Sequence, residues 1–231
     1  MDINNKKISI RDKYVVKSID TYLCKDWFLN KHYAKRIPMI EYSFGLYENN
    51  ILVGVCSYGT TLAIGIRKIF TINVYELNRL VVNEGLEKNV LSYFVSQSIK
   101  FMPKTCILLS YADKQQGHSG YIYQATNWIY TGLSAIVKEY KVKGQEDMHS
   151  QTLFDKSKGK ADRVGYLKEL YGDKLYMDYR PRKHRYFYFK GTKKEIQTMY
   201  KELKFKIEPY PKGENQRYDA SYNPSIQTQL F

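Results

Sequence analysis

The chain has 231 residues, of which 43% are hydrophobic and 15% aromatic, and this composition excludes an intrinsically disordered protein. The longest apolar runs, such as ILVGV at 51–55, are far shorter than the roughly 20 residues of a membrane span, and the first residues lack an apolar signal core. The three cysteines are widely spaced and form neither a disulfide framework nor a spaced metal cluster. We therefore expect a cytoplasmic protein with one main core and no membrane partner.

The charge balance is strongly basic. Lysine and arginine number 37 against 23 aspartates and glutamates, giving a formal net charge of +14, and 23 residues are tyrosine. A cationic surface attracts polyanions, and tyrosine adds a flat stacking face with a polar end. The combination favours a nucleic-acid-binding protein. A lysine- and tyrosine-rich genome would produce the same composition without such a partner, and this alternative stays open.

The first 135 residues alternate strand-like and helix-like segments. In chain order, the patterns predict a strand at 13–19, a helix at 21–34 capped by Asp20, strands at 42–48 and 51–59, a strand at 74–82, a helix at 90–102, a strand at 106–112, a helix at 121–127 and a strand at 128–132. Asn49 and Asn50 tolerate the positive φ of a tight hairpin turn. The unbroken apolar run at 106–112 is typical of a strand buried on both faces. This order predicts an α/β (α+β) fold with a single mixed central sheet flanked by helices.

The last third of the chain is more basic and less regular. Residues 143–163 are polar and predict a loop or an extended arm, and residues 209–231 show no periodicity. In chain order, we predict a helix at 162–172, an aromatic strand at 186–189 and an amphipathic helix at 192–204. We therefore divide the chain into a catalytic core at 1–140 and a basic, aromatic-rich C-terminal extension at 141–231 that packs on the core and contacts DNA.

A long string in the middle of the chain carries a family resemblance. LLSYADKQQGHSGYIYQATNWIYTG at 108–132 resembles the signature of the Mom proteins of Mu-like phages, and HYAKRIP at 32–38, ELNRLVV at 76–82 and RKHRYFYF at 182–189 support the match. The resemblance implies a GNAT-like acyltransferase fold. It also implies hypermodification of adenine in phage DNA, in which a methylcarbamoyl group is attached to the exocyclic amine and protects the DNA from host restriction.

The group donor is less well defined. The resemblance implies acyl-CoA (acetyl-CoA) or a related small donor, and it leaves an iron-dependent step open. GNAT enzymes bind pyrophosphate at a glycine-rich turn before a helix. The corresponding turn at 83–89 has a single glycine and carries Glu84 and Glu87, which repel phosphate and which Lys88 offsets only in part. Conventional CoA binding is therefore an open question, as is the choice between a monomer and a homodimer.

Polar residues follow the buried central strand, where open α/β sheets place their ligands. The amine of adenine is a poor nucleophile because its lone pair is delocalised, so catalysis needs a proton acceptor nearby. We predict that Asp113 and His118 are catalytic. Ser110 would orient the base or the donor, and the resemblance implies that Tyr123 is a general acid. The alternatives are that Asp113 caps the following loop and that Ser110 and Tyr123 are ordinary core residues.

Residues on the fourth strand and after the first helix are candidates for binding DNA or the donor. Asn78 would read the Watson–Crick edge of adenine, and Arg79 would bind a phosphate or a donor carboxylate unless it forms a buried ion pair with Glu76. The resemblance places His32 and Arg36 at the border of the acceptor site. None of the histidine, aspartate and cysteine pairs has a spacing diagnostic of a metal ion, so no metal site is predicted.

The basic strand near residue 186 is the predicted DNA contact. Arg182, Lys183 and Arg185 would neutralise phosphates, and the neighbouring tyrosines would stack on an unpaired base. A solvated, charged sheet edge would show the same pattern.

Because the adenine amine is paired in duplex DNA, the base must be flipped out before it reacts. The candidates for the receiving pocket are Tyr42, Tyr58, Tyr111, Tyr123 and Trp128. An ordinary GNAT N-acyltransferase for a protein or a small amine, and a non-catalytic DNA-binding protein, are the alternative functions.

Overall fold

The computed structural model describes residues 9–146 and 148–213. The chain divides into a larger unit, made of the residues up to Gly132 and from Lys183 onward, and a smaller unit, Leu133–Arg182. The larger unit does not end near residue 140 as we expected, because the strand that begins at Lys183 belongs to the main sheet. Of the segment predicted to be irregular, residues 214–231 lie outside the described residues.

Seven strands form one sheet. They are β1 Tyr14–Ser18, β2 Tyr42–Glu48, β3 Ile51–Thr60, β4 Val74–Val82, β5 Cys106–Asp113, β6 Ile129–Leu133 and β9 Lys183–Lys190. Their order across the sheet is β1-β2-β3-β4-β5-β9-β6. The pairs from β1 to β4 and the β5–β9 pair are antiparallel, whereas β4 and β5 are parallel. Asn49 and Asn50 form the β2–β3 turn with φ of 50° and 62°. The predicted single mixed sheet is therefore confirmed.

Short helices flank the strands. They are α1 Ile10–Lys13, α2 Ile64–Arg67, α3 Val90–Phe101, α4 Tyr121–Ala125 and α7 Lys193–Glu202. The helix predicted at 21–34 is present but shorter and less regular, because only residues 21–31 are helical. The chain forms a 3₁₀ turn at Thr21–Cys24 and a π-helical turn at Trp27–Lys31, and Asp20 makes no side-chain capping bond. Thr192 and Glu195 form a capping box at the start of α7.

The core of the larger unit lies on both faces of the sheet. One face packs Phe94 of α3 and Trp128 against alternate side chains of the strands, and the other packs Phe187 against Met199 of α7. Ile107 and Leu108 of β5 are 0% exposed although they point to opposite faces. The predicted burial of this strand on both sides is confirmed, and it makes the end of β5 a rigid support for the site.

The smaller unit has its own core. Its elements are β7 Lys138–Val142, α5 Ser150–Asp155, α6 Arg163–Tyr171 and β8 Leu175–Tyr179, with β7 and β8 antiparallel. Val142, Leu153 and Leu167 are buried together. Residues 143–163 were expected to form a loop or an arm, but they contain α5, and the pair β7–β8 was not predicted. In the described part of both units, no helix combines the length and apolar character of a membrane-spanning segment.

Candidate functional site

The parallel strands β4 and β5 pair over only part of their length. Their register runs from Val74 opposite Ile107 to Glu76 opposite Leu109. Both strands continue beyond this point, β4 to Val82 and β5 to Asp113. Between β3 and β4 the register also shifts, which leaves Asn78 as an extra residue in a bulge. The ends of β4 and β5 therefore border an opening in the sheet, and the polar side chains described next lie around it.

Asp113 and Lys183 form an ion pair at one side of this opening. They are direct partners in the β5–β9 register, and Lys183 Nζ lies 2.9 Å from Asp113 Oδ2. The side chain of Asp113 is 10% exposed and that of Lys183 is 30% exposed. The pair is thus largely shielded from water while remaining reachable from one side. Sequence reasoning placed Lys183 on a DNA phosphate, whereas the structure brings it against the predicted catalytic carboxylate.

Three aromatic rings line up beside this pair. His118 donates its backbone N–H to the Asp113 carbonyl at 3.1 Å, and its ring meets Tyr33 edge-on at 6.5 Å between centroids. The Tyr33 ring in turn stacks on His32 at 4.3 Å. His32, Tyr33 and His118 therefore connect the segment after the π-helical turn to the end of β5.

Burial keeps these rings uncharged. It lowers the pKa of His32 well below 6.5, with a further contribution from the positive charges of Arg79 and Lys183. His32 Nδ1 accepts the Ala34 N–H at 3.0 Å, so the ring proton sits on Nε2. Burial also lowers the pKa of His118, although Asp113 opposes the shift, and it raises the pKa of Tyr33 to about 12. Near pH 7, His118 is therefore a neutral imidazole that is able to accept a proton.

Asn78 and Arg79 hold a neighbouring segment in place. The Asn78 carboxamide accepts from Ser57 Oγ at 2.6 Å and donates to the Met39 carbonyl at 2.8 Å. Arg79 donates to the carbonyls of Asn78 and Arg36 at 2.6 and 3.3 Å. The side chain predicted to read adenine is thus engaged in fixing residues 36–39 over the sheet. Arg79 thereby joins the backbone at Arg36 to β4.

Ser110 and Tyr123 lie where the two parallel strands part. Ser110 Oγ is 2.9 Å from the Leu77 carbonyl oxygen and 2.8 Å from Tyr123 Oη. Ser110 is 1% exposed, and burial raises the pKa of Tyr123 to about 12. The phenol therefore stays protonated at neutral pH and is available as a proton donor. Alternation along β5 puts Ser110 and Asp113 on opposite faces, so the opening connects the two groups.

Sequence reasoning missed Glu76 as a site residue. Its Oε2 accepts a hydrogen bond from Thr61 Oγ1 at 2.6 Å. Burial raises the pKa of this carboxyl above its ordinary 4.5, and Thr61, Lys183 and Arg79 oppose the shift. The one available signal was a glutamate between the apolar residues Tyr75 and Leu77 of β4, and we had interpreted it only as an ion-pair partner of Arg79.

Several predicted binding residues lie elsewhere. Arg185 is only 8% exposed. Its guanidinium donates to Oγ1 and to the backbone carbonyl of Thr131 at 2.9 and 2.8 Å, and it covers the Phe205 ring. This cation therefore supports the core instead of contacting DNA. Arg182 belongs to the smaller unit and donates to the carbonyls of residues 133 and 134. Tyr111 packs against the Phe187 core.

The expected aromatic pocket and charged sheet edge also need correction. Tyr58, Trp128 and Tyr186 are 0% exposed, so they cannot receive or stack on a base without rearrangement of the core. The strand β9 lies between β5 and β6, so it is not the solvated sheet edge that we had considered.

A separate cleft of about 530 Å³ lies between α3 and α4. Its lining includes Arg11, Ser92, Tyr93 and Thr126 and no carboxylate among the described residues. The hydroxyls of Ser92, Tyr93 and Thr126 donate to the backbone carbonyls of Asn89, Tyr14 and Ile122, so Arg11 is the cationic group that this lining offers to a ligand.

In the 83–89 turn, Glu87 pairs with Lys13 at 2.5 Å and Glu84 is exposed. The turn therefore presents negative charge, which does not favour binding of a diphosphate. Among residues 9–146 and 148–213, no three His, Cys, Asp or Glu side chains are grouped to hold a metal ion.

Comparison with known proteins gives matches at the level of family, sequence and fold. The model of the Mom protein family matches residues 13–212. The methylcarbamoylase Mom of Escherichia phage Mu is 28% identical over 209 residues, which cover 85% of this chain and 83% of the phage Mu protein.

Solved structures of acetyltransferases also align with the chain. A putative acetyltransferase from Salmonella typhimurium, solved with acetyl-CoA, is 10% identical, covers 77% of this chain and 94% of its own, and has a TM-score of 0.41. An agmatine N-acetyltransferase is 8% identical, covers 77% of this chain and 100% of its own, and has a TM-score of 0.44.

Proposed function

Because the chain belongs to the Mom protein family, we propose that it is a transferase that modifies adenine in DNA. The specific proposal is that it attaches a methylcarbamoyl group to the exocyclic amine and so protects phage DNA from restriction. The observation that carries this proposal is the shielded group of Asp113, Lys183 and His118 at the opening between β4 and β5. It supplies a proton acceptor at the end of a rigid strand, which the poorly nucleophilic amine requires.

Each side chain has a role in the proposed reaction. The amine of a flipped adenine attacks the carbon of the transferred group, and Asp113 accepts the proton that the amine loses. Lys183 orients the Asp113 carboxylate through the 2.9 Å contact. Tyr123, held by Ser110 and protonated at neutral pH, donates a proton to the leaving group of the donor. The neutral ring of His118 lies at the same strand end and carries the accepted proton to solvent.

The donor would be held on the other side of the opening. The α3–α4 cleft, with Arg11 in its lining, supports a small donor with an anionic portion, which when bound would supply the whole methylcarbamoyl group attached to a leaving group. The net charge of +14 supports DNA as the second substrate, because phosphate neutralisation dominates protein–DNA affinity.

Nucleoside mass spectrometry of DNA from cells that express the protein tests the proposal. We expect a modified deoxyadenosine in cells with the wild-type chain and none in cells with Asp113→Asn. Asp173→Asn is the matched control, because Asp173 is exposed in the smaller unit. Unmodified DNA together with an acylated protein or amine would favour an ordinary N-acyltransferase instead. Neither product, together with salt-sensitive DNA binding, would favour a non-catalytic DNA-binding protein.

A further inference from the structure

Four large aliphatic side chains are exposed on two segments beside the site. Ile37 and Met39 are 41% and 58% exposed, and Leu62 and Ile64 are 73% and 55% exposed. We call these four side chains the apolar rim. Large apolar side chains that are grouped on a surface generally mark a place where a partner covers them.

Hydrogen bonds tie both segments to the site. Asn78 of β4 holds the Met39 carbonyl at 2.8 Å, and Glu76 of β4 accepts from Thr61 at 2.6 Å, next to Leu62. The two segments are also joined to each other, because the Glu41 carboxylate accepts from the backbone N–H and the hydroxyl of Thr60. The apolar rim is therefore fixed to the strand that borders the opening.

The charges on the same segments indicate which partner fits. Residues 33–41 and 60–68 contain Lys35, Arg36, Arg67 and Lys68 and a single acid, Glu41, which is engaged with Thr60. Duplex DNA combines an anionic backbone with an apolar stack of bases, so cations flanking aliphatic side chains complement it. A purely apolar protein partner would gain little from these four positive charges.

We propose that the apolar rim inserts into the base stack of duplex DNA and fills the space left by the adenine that swings toward Asp113. This inference rests on the proposed function as a DNA-adenine transferase. Extruding a base carries an unpairing and unstacking cost, and aliphatic side chains that enter the stack offset it while they kink the duplex. Leu62 is the most exposed of the four and is the expected leading side chain.

The test compares adenine in two DNA contexts. One duplex carries adenine opposite thymine, and the other carries it opposite an abasic position, where no base pair has to be opened. For Leu62→Ser, we expect modification of the paired adenine to fall about tenfold or more, with less than about a twofold change opposite the abasic position. Val15→Ser is the matched control, since Val15 is 48% exposed on the edge strand β1, and it should behave as wild type on both duplexes.

A second measurement separates this inference from the transferase proposal. With 2-aminopurine at the target position, wild-type protein should raise the fluorescence and Leu62→Ser should not. If wild-type protein raises the fluorescence, Leu62→Ser does not, and no modified adenine forms, the transferase proposal is refuted and the insertion of the apolar rim is supported. Equal losses on both duplexes, or no loss on either, would overturn the rim while leaving the transferase intact. Thermal melting of Leu62→Ser should match wild type because the side chain is exposed.

Discussion

Replacing Asp113 with asparagine is the sharpest test of the site, because the change removes one charge and keeps the side-chain shape. Asp113 and Lys183 are 2.9 Å apart, which corresponds to an attraction of about 6 kcal/mol at an effective dielectric constant of about 20. Desolvation and the exposure of Lys183 cancel most of this attraction. We expect a net coupling of about 1–2 kcal/mol between the two side chains, which lies between surface and buried ion pairs.

The expected effect on the reaction is much larger than the effect on stability. Loss of a general base costs about 100-fold to 10,000-fold in rate, so Asp113→Asn should retain at most about 1% of wild-type modification. Lys183→Met keeps the carboxylate and should lose less activity. Timed nucleoside mass spectrometry gives the rates, and urea unfolding of both single variants and the double variant gives the coupling. If Asp113→Asn modified adenine within about threefold of wild type, a far smaller loss than removal of a base produces, Asp113 would not be the proton acceptor.

Three further predictions follow from the structure. Glu76→Gln should stabilise the protein more at pH 8 than at pH 4. The pKa of Glu76 is raised in the folded protein, so ionising this carboxyl costs stability as the pH rises above 4.5. Urea unfolding at both pH values measures the difference, and an effect that does not depend on pH contradicts the prediction. Tyr123→Phe should lower the rate of adenine modification by about 10-fold to 100-fold, while the free energy of unfolding changes by only about 1 kcal/mol. An unchanged rate would exclude a proton-donor role for Tyr123. Arg185→Ala should destabilise the protein by about 2–4 kcal/mol, because Thr131 loses both guanidinium hydrogen bonds and the Phe205 ring is uncovered. A DNA affinity that falls without loss of stability would contradict the assignment of Arg185 to the core.

Local patterns in the sequence were sufficient to predict most of the sheet. The Asn49–Asn50 turn specified the hairpin because both residues adopt positive φ, and the three- and four-residue spacing from Val90 onward specified α3. The helix expected at 21–34 ends at Lys31 in a π-helical turn, which hydrophobic periodicity does not reveal.

The arrangement of the site could be predicted only in part. The positions of Asp113 and Ser110 at the end of the central strand followed from the sequence, and the structure places both at the opening. The contact of Asp113 with Lys183 could not be predicted, because it depends on the β5–β9 register after 69 intervening residues, those from 114 to 182. Arg185 was misassigned because charge alone does not show that Phe205 and Thr131 pack against this guanidinium and bury it.

The place of β9 in the sheet has a consequence for synthesis on the ribosome. Because β9 lies between β5 and β6, the hydrogen-bonding edges of these two strands stay unsatisfied until residues 183–190 have emerged. A nascent chain that ends earlier lacks Lys183 and cannot complete the sheet, so the protein becomes competent only when most of it has been translated.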